Sequence, residues 1–262
     1  MDDTRSDRHR ETVVEQFTAQ AAGYAQAEPI RNEQALGLLL EACTPSGADR
    51  VLDVACGTGV VTCALAQMAS EVTGIDVTPA MIDHARELAR ERGLRNLIWH
   101  VAAIPPLPFE DASFDLVVSR YAFHHFVDPP AVLREMARVC RPGGRIVVCD
   151  LAPDPRKADA FNAVERLRDA SHAGALPVTS LIGLFGEAGL GGRLAGSYRL
   201  AGELESLLAR SAPAAGGADE VRRRFVASLR DDSLGVKPWR DGERIRYSFP
   251  IAIVVGERET VH

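Results

Sequence analysis

The sequence predicts an α/β fold: a doubly wound, mostly parallel sheet of seven strands, with helices on both faces and further helical segments forming a lid. Three observations predict it. Between residues 50 and 152, short apolar runs alternate with amphipathic helical stretches, and parallel neighbours need such crossovers to be joined. A turn of small residues, "ACGTG" at 55–59, links the first run directly to an apolar helix. The chain has 262 residues, 46% of them hydrophobic, which is enough for one large domain with its own core.

Each element has a local reason. Residues 1–10 are charged and are expected to form a flexible tail. A first helix is expected over 11–26, where Val14, Phe17, Ala21 and Tyr24 recur on one face. "PIRNEQALGLLLEAC" predicts a second helix, closed by "TPSGAD". "RVLDVA" reads as the first strand, and Val60, Val61, Ala64, Leu65 and Met68 line one side of the helix after it. "EVTGID" is the second strand. It leads into a helix with Thr78 as N-cap, Pro79 at the first helical position and Gly93 as its stop. "NLIWHVA" and "FDLVVSR" give the third and fourth strands, a helix starts at Asp128 and ends at a Pro-Gly-Gly turn, and "RIVVCDLA" is the fifth strand.

Beyond Leu151 the pattern loosens. Residues 154–172 read as a charged amphipathic helix, "SLIGLFGEAGL" as a helix ended by Gly189, and "RLAGSYRL" as the sixth strand. Two helical stretches are expected within 203–240, split by "APAAGGAD", before a last strand in "YSFPIAIVVGER". One domain over 11–262 accounts for these elements, with 11–45, 154–185 and 203–240 as lid segments.

Composition narrows the function. A net charge of −6 speaks against a nucleic-acid partner, since phosphate binding needs concentrated Lys and Arg. Cys43, Cys56, Cys63, Cys140 and Cys149 form no C-x-x-C pair and no zinc-like spacing, so reduced, buried thiols and no metal site are expected. No apolar run is long enough for a membrane span, and the N-terminus lacks a signal-like apolar region. A cytoplasmic monomer or homodimer acting on a small molecule is the expectation.

The turn "VLDVACGTG" then carries the chemistry. In open α/β sheets, ligands sit beyond the carboxyl ends of the strands, where strand order reverses. A dinucleotide fingerprint needs a third glycine, and Thr62 stands there instead; a phosphate-binding loop needs Gly-Lys-Ser/Thr, which is missing. The second strand ends in Asp76, at the spacing where a carboxylate can accept the hydroxyls of a ribose.

"LDVACGTG", "VTGIDVTPAMIDHAR", "LPFEDASFDLVVSRYAFHHFVDPPAVLREMARVCRPGG" and the N-terminal "FTAQAAGYA" resemble the class I S-adenosylmethionine-dependent methyltransferases, in particular the subgroup with ubiquinone and menaquinone C-methyltransferases and many small-molecule methyltransferases. The resemblance spans roughly residues 12–152. It implies the Rossmann-like methyltransferase fold with one antiparallel strand near the sheet edge, placed at 249–256, and S-adenosyl-L-methionine as cofactor. It also implies roles. Gly57 and Gly59, with Ala55 in the same turn, would let backbone approach the amino-acid end of the cofactor, and Asp53 would order the turn. Asp76 would hold the ribose, Val77 and Met81 would pack on adenine, and Tyr24 and Arg120 would lie at the methionine end. One departure stands out. The family usually has Gly-Asp-Ala-Glu before "LPF", and Ala102 and Ala103 replace the Gly-Asp pair here, leaving adenine to backbone at Ala103 and Ile104.

Methyl transfer from a sulfonium depends on holding nucleophile, methyl and sulfur in line, and a proton-bearing acceptor also needs a base. Tyr121, His124 and His125, just after the fourth strand, are the candidates for that role, with local packing as the alternative for the two histidines. Arg168 and His172 are expected mainly as part of a solvated charged face. The expected reaction is methyl transfer to a carbon, oxygen or nitrogen of a small metabolite. The alternative is a protein of this fold that no longer transfers methyl groups, acting as a lyase, a cyclase or a ligand-sensing subunit.

Overall fold

The computed structural model describes residues 3–211 and 213–259, with the side chains of 3–5, 24–26, 28 and 29 outside that description. Its centre is a sheet ordered β3-β2-β1-β4-β5-β8-β6, where β1 is Arg50–Val54, β2 Glu71–Asp76, β3 Leu97–Val101, β4 Phe114–Arg120, β5 Cys140–Leu151, β6 Arg193–Glu203 and β8 Arg244–Glu257. Strands β1 to β5 are mutually parallel, and β8 runs antiparallel between β5 and β6. A short strand, β7 (Trp239–Asp241), pairs with the start of β8 as a hairpin; it makes an eighth strand where seven were expected.

The strands are apolar on both faces, as strands buried between helix layers must be. Alternation then divides the core in two. On one face Val51, Leu116, Val118, Val147 and Cys149 pack with Leu39 of α3 (Glu33–Cys43), Phe161 of α7 (Ala158–Arg168), Leu207 of α9 (Leu204–Ala209) and Phe225 of α10 (Gly217–Ser228). On the other, Leu52, Val54, Val117, Ile146 and Val148 pack with Met136 of α6 (Pro129–Val139) and Phe185 of α8 (Val178–Glu187).

Helix α4 (Val60–Leu65) leaves β1 through the glycine turn, and α5 (Pro79–Glu91) follows β2. The chain runs β1, β2, β3 outward on one side and then returns across β1 to lay down β4 on the other. That reversal opens a crevice beyond the carboxyl ends of β1 and β4, and it fixes where a ligand can sit.

Three local expectations are corrected. The expected tail is helical from Asp3, because α1 runs from Asp3 to Gln26 and His9 Nε2 anchors it to the backbone oxygen of His125 at 2.7 Å. The expected second helix is broken into α2 (Glu28–Arg31) and α3 by Asn32, whose side chain accepts from Ala35 N–H and caps α3. Thr78 occupies the expected N-cap of α5, but its side chain makes no cap bond there.

Candidate functional site

The turn after β1 is held by backbone that few side chains tolerate. Ala55 has φ of 56° and Gly57 of 52°, both in the left-handed region, where a non-glycine residue carries strain. Cys56 N–H donates to Ile75 O, joining the turn to β2. Asp76 completes it: its Oδ2 accepts from Gly57 N–H and its Oδ1 from Thr78 N–H, each at 2.9 Å. Both carboxylate oxygens keep a second lone pair, so Asp76 shapes the turn and still has acceptor capacity. Asp53 is buried, and Thr62 Oγ1 donates to its Oδ2 at 2.6 Å. Burial pushes the Asp53 carboxyl up to about 7, and burial likewise raises Asp76 and, far more, the Cys56 thiol.

These residues line a cavity of about 530 Å³ in the crevice. Along the strand order, Ala103 and Ile104 follow β3, Asp76, Val77 and Met81 lie at the end of β2 and just beyond it, Asp53, Ala55 and Gly57 at β1 and its turn, and Arg120, Tyr121 and His125 at the end of β4 and beyond it. Helix α1 roofs it through Ser6, His9, Arg10, Val13 and Phe17. Of that roof, sequence analysis singled out only Phe17, as one position of an apolar face; a 3.6-residue periodicity shows which side of a helix is apolar but not what it covers.

Gly59 does not line the cavity. It has φ of 77°, and an added Cβ would stand 2.8 Å from Ala85 Cβ and 3.0 Å from Trp99 Cη2, so its lack of a side chain serves the packing of α4 against α5 and β3. Tyr24 falls on α1, with its side chain outside the described residues.

Arg120 is a buried cation on the cavity wall. It is 8% exposed, its Nη1 donates to Ile30 O and its Nη2 to the Tyr121 hydroxyl, and its Nε is buried with no partner. Among the described residues no carboxylate forms an ion pair with it. A buried, unpaired cation on a cavity wall calls for an anion. The cavity wall thus offers carboxylate acceptors at Asp76, an apolar surface at Val77 and Met81, and a buried cation at Arg120.

The two histidines after β4 separate. They lie in a 3-10 turn, Phe123–His125. His125 lines the main cavity, and His124 faces a second cavity of about 100 Å³ that shares Phe17, Ile30, Tyr121 and His125 with the first. His124 Nδ1 donates to Asp150 Oδ1 at 2.5 Å, with both groups buried. His125 Nδ1 donates to Ser171 O at 3.0 Å. Burial and the neighbouring His124 push the His125 imidazole down to about 3. Tyr121 has φ of 57° and shares a 2.5 Å hydrogen bond with Tyr198; burial raises its hydroxyl.

Arg168 and His172 overturn the expectation of a solvated face. His172 is buried, and Arg168 is paired with Glu165 and Asp169 against the second cavity. Asp150, the partner of His124, was missed by sequence analysis. Its one signal is an acidic residue closing the apolar run "IVVCD".

Comparison with known proteins finds chains of similar sequence and fold. Residues 52–148 match the model of the methyltransferase domain family. Over that stretch the chain is similar to the S-adenosylmethionine-dependent methyltransferases. It is 35% identical over 158 residues to the uncharacterized methyltransferase YcgJ of Bacillus subtilis, covering 60% of this chain and 62% of that protein. It is 40% identical over 120 residues to a demethylmenaquinone methyltransferase of Thermus thermophilus, covering 45% of this chain and 53% of the relative. The chain thus spans between about half and three-fifths of these curated relatives. The crystal structure of Bacillus subtilis YcgJ superposes with a TM-score of 0.80 at 26% identity, covering 87% of this chain and 100% of that one. The shared fold includes the antiparallel strand expected at 249–256, which is part of β8. Among the described residues, no helix is long and apolar enough to cross a membrane.

Proposed function

We propose that this protein transfers a methyl group from S-adenosylmethionine to a small-molecule acceptor. The observation that carries the reading is that Asp76 and the unpaired Arg120 line the same cavity, at the ends of β2 and β4. Asp76 holds the ribose hydroxyls with its free lone pairs. Val77, Met81, Ala103 and Ile104 enclose the adenine, and Gly57 and Ala55 bring backbone against the methionine portion. Arg120 takes the carboxylate. The bound cofactor supplies an electrophilic methyl on a positively charged sulfur, and the chain's task is alignment and exclusion of water. Asp53 faces the region of that charge, and the α1 roof closes over it. Tyr121 and His125 stand where the two cavities meet, so an acceptor reaching the methyl passes them.

Calorimetry with S-adenosylhomocysteine and with 5′-methylthioadenosine tests the reading, because the second ligand lacks the carboxylate. Arg120→Met is expected to weaken S-adenosylhomocysteine by roughly 10- to 150-fold, the value of about 1.5–3 kcal/mol for a hydrogen bond to a charged group, and to leave methylthioadenosine nearly unchanged. Equal losses for both ligands would remove Arg120 from the carboxylate site. No binding of either ligand to the wild-type protein would overturn the cofactor assignment. Cofactor bound without a methylated product in a metabolite panel would favour a non-transferring protein of the same fold.

A further inference from the structure

Arg120 is held on the cavity wall by a chain of contacts that reaches the edge of the sheet. Neighbouring residues of a strand point to opposite faces. The left-handed φ of 57° at Tyr121 breaks that alternation where β4 ends, and the Arg120 guanidinium carbon lies 4.4 Å from the centroid of the Tyr121 ring. Such a backbone carries strain and persists where surrounding contacts fix it. Here Tyr121 N–H donates to Cys149 O on β5, and the Tyr121 hydroxyl meets that of Tyr198 at 2.5 Å. Tyr198 comes from β6, the edge strand, which β5 and β8 separate from β4. Its hydroxyl in turn lies 3.4 Å from Cys149 Sγ.

The direction of these hydrogen bonds follows from their donors. A guanidinium has only N–H groups to offer and no acceptor, so Arg120 Nη2 donates to Tyr121 Oη at 3.3 Å, as Nη1 donates to Ile30 O at 3.2 Å. Among the described residues, the other partner of Tyr121 Oη is Tyr198 Oη, which therefore receives the Tyr121 proton. Tyr198 then gives its own proton to Cys149 Sγ. Burial raises both phenols and pushes the Cys149 thiol up to about 12, so each member of the chain except Arg120 is neutral. Both Nη atoms of Arg120 are thereby anchored, and Nε, buried without a partner, is held in one orientation.

We propose that Tyr198 is a positioning residue for the cofactor: through the Tyr121 hydroxyl it fixes the Arg120 guanidinium in the orientation that receives the cofactor's carboxylate. The assignment rests on Arg120 taking that carboxylate and adds the residue that orients it. Tyr198 itself lines neither cavity, so its effect on binding passes through Tyr121. Without the Tyr198 oxygen, the Tyr121 proton loses its acceptor, and the lone pair that Tyr121 Oη presents to Arg120 is no longer fixed in direction.

Calorimetry on Tyr198→Phe with S-adenosylhomocysteine and 5′-methylthioadenosine tests this, together with nitrogen-15 NMR of the Arg120 Nε–H in the free protein. The Arg120 signal is identified by its loss in Arg120→Met. Tyr198→Phe keeps the ring and removes one oxygen. It is expected to weaken S-adenosylhomocysteine by roughly 2- to 10-fold, the worth of one neutral hydrogen bond, to leave methylthioadenosine unchanged and to shift the Arg120 signal. Tyr121→Phe should show the same selectivity, and adding Tyr198→Phe to it should change nothing further, because the two residues act in series. Equal losses for both ligands would make Tyr198 a packing residue and overturn the proposal. So would losses that add in the double variant, or an unmoved Arg120 signal with S-adenosylhomocysteine affinity retained in folded Tyr198→Phe. If Arg120→Met weakens both ligands equally, the carboxylate reading fails, and the Arg120 signal in free Tyr198→Phe still decides whether Tyr198 orients Arg120.

Discussion

Asp76 shows how one side chain can carry two tasks. Its oxygens already accept from Gly57 N–H and Thr78 N–H, so replacing it disturbs the turn as well as any ribose contact. Asp76→Ala is expected to raise the dissociation constant for S-adenosylhomocysteine by roughly 10- to 150-fold by calorimetry. Asp76→Asn should come close to that loss, because its amide nitrogen would face one of the two backbone donors it must satisfy. Asp53 offers a separate test through pH. Its folded carboxyl is raised to about 7 from 3.8, so the fold favours the protonated form. Stability from this group is whole below 3.8 and is lost as pH rises toward 7. Asp53→Asn should therefore raise the melting temperature of the cofactor-free protein at pH 8 and change it little at pH 4. The same variant should weaken cationic S-adenosylmethionine more than neutral-sulfur S-adenosylhomocysteine, by roughly 5- to 30-fold for about 1–2 kcal/mol of charge interaction.

Among the elements, the glycines of the first turn divide the work that a motif would assign to them together. Gly57 faces the cavity, whereas Gly59 lets α4 settle on Ala85 and Trp99. Gly59→Ala combines a left-handed φ with overpacking, so urea denaturation should show a loss of about 2–5 kcal/mol. Gly93 also has a left-handed φ of 66° but open space around it, and Gly93→Ala should cost about 1–2 kcal/mol. Equal losses at the two positions would refute the packing role of Gly59. The three expected lid segments also differ in kind. Residues 154–185 and 203–240 place Phe161, Leu204, Leu207 and Phe225 in the main core, so they wall the second cavity as part of the fold. Helix α1 instead lies over the main cavity with side chains half-buried or exposed along most of its length. Hydrogen exchange along 3–26 should slow on cofactor binding, while 204–209 and 217–228 should change little.

For the molecule as a whole, the buried histidines set a pH limit. His125 is neutral in the fold down to about 3, against 6.5 unfolded, and burial lowers His172 further. A lowered folded value means that stability is complete above 6.5 and drains away as pH falls toward 3. Thermal melts should lose stability steadily below pH 6.5, and His172→Gln or His125→Gln should flatten that slope. An unchanged slope in both variants would show that other groups carry the acid sensitivity.

The alternation of strand and helix, the turn at 55–59 and the carboxylate at 76 were legible in the sequence because each is a short-range pattern: a period of 2 or 3.6, a run of small residues, or an acid at the end of a strand. Those patterns do not fix the crevice by themselves, because the same alternation of strands and helices is compatible with more than one doubly wound strand order, and the order β3-β2-β1-β4 is a property of the fold. What the tertiary structure alone decided involves partners far apart in the chain. Asp150 reaches His124 across 26 residues, and His9 reaches His125 across 116. Arg120 is a buried cation with no carboxylate at ion-pair distance among the described residues, which only the fold could decide, and Ser6, His9 and Arg10 line the main cavity only because α1 lies over it. Such contacts depend on which strands end side by side and on which helix lies above them, and no local periodicity encodes that.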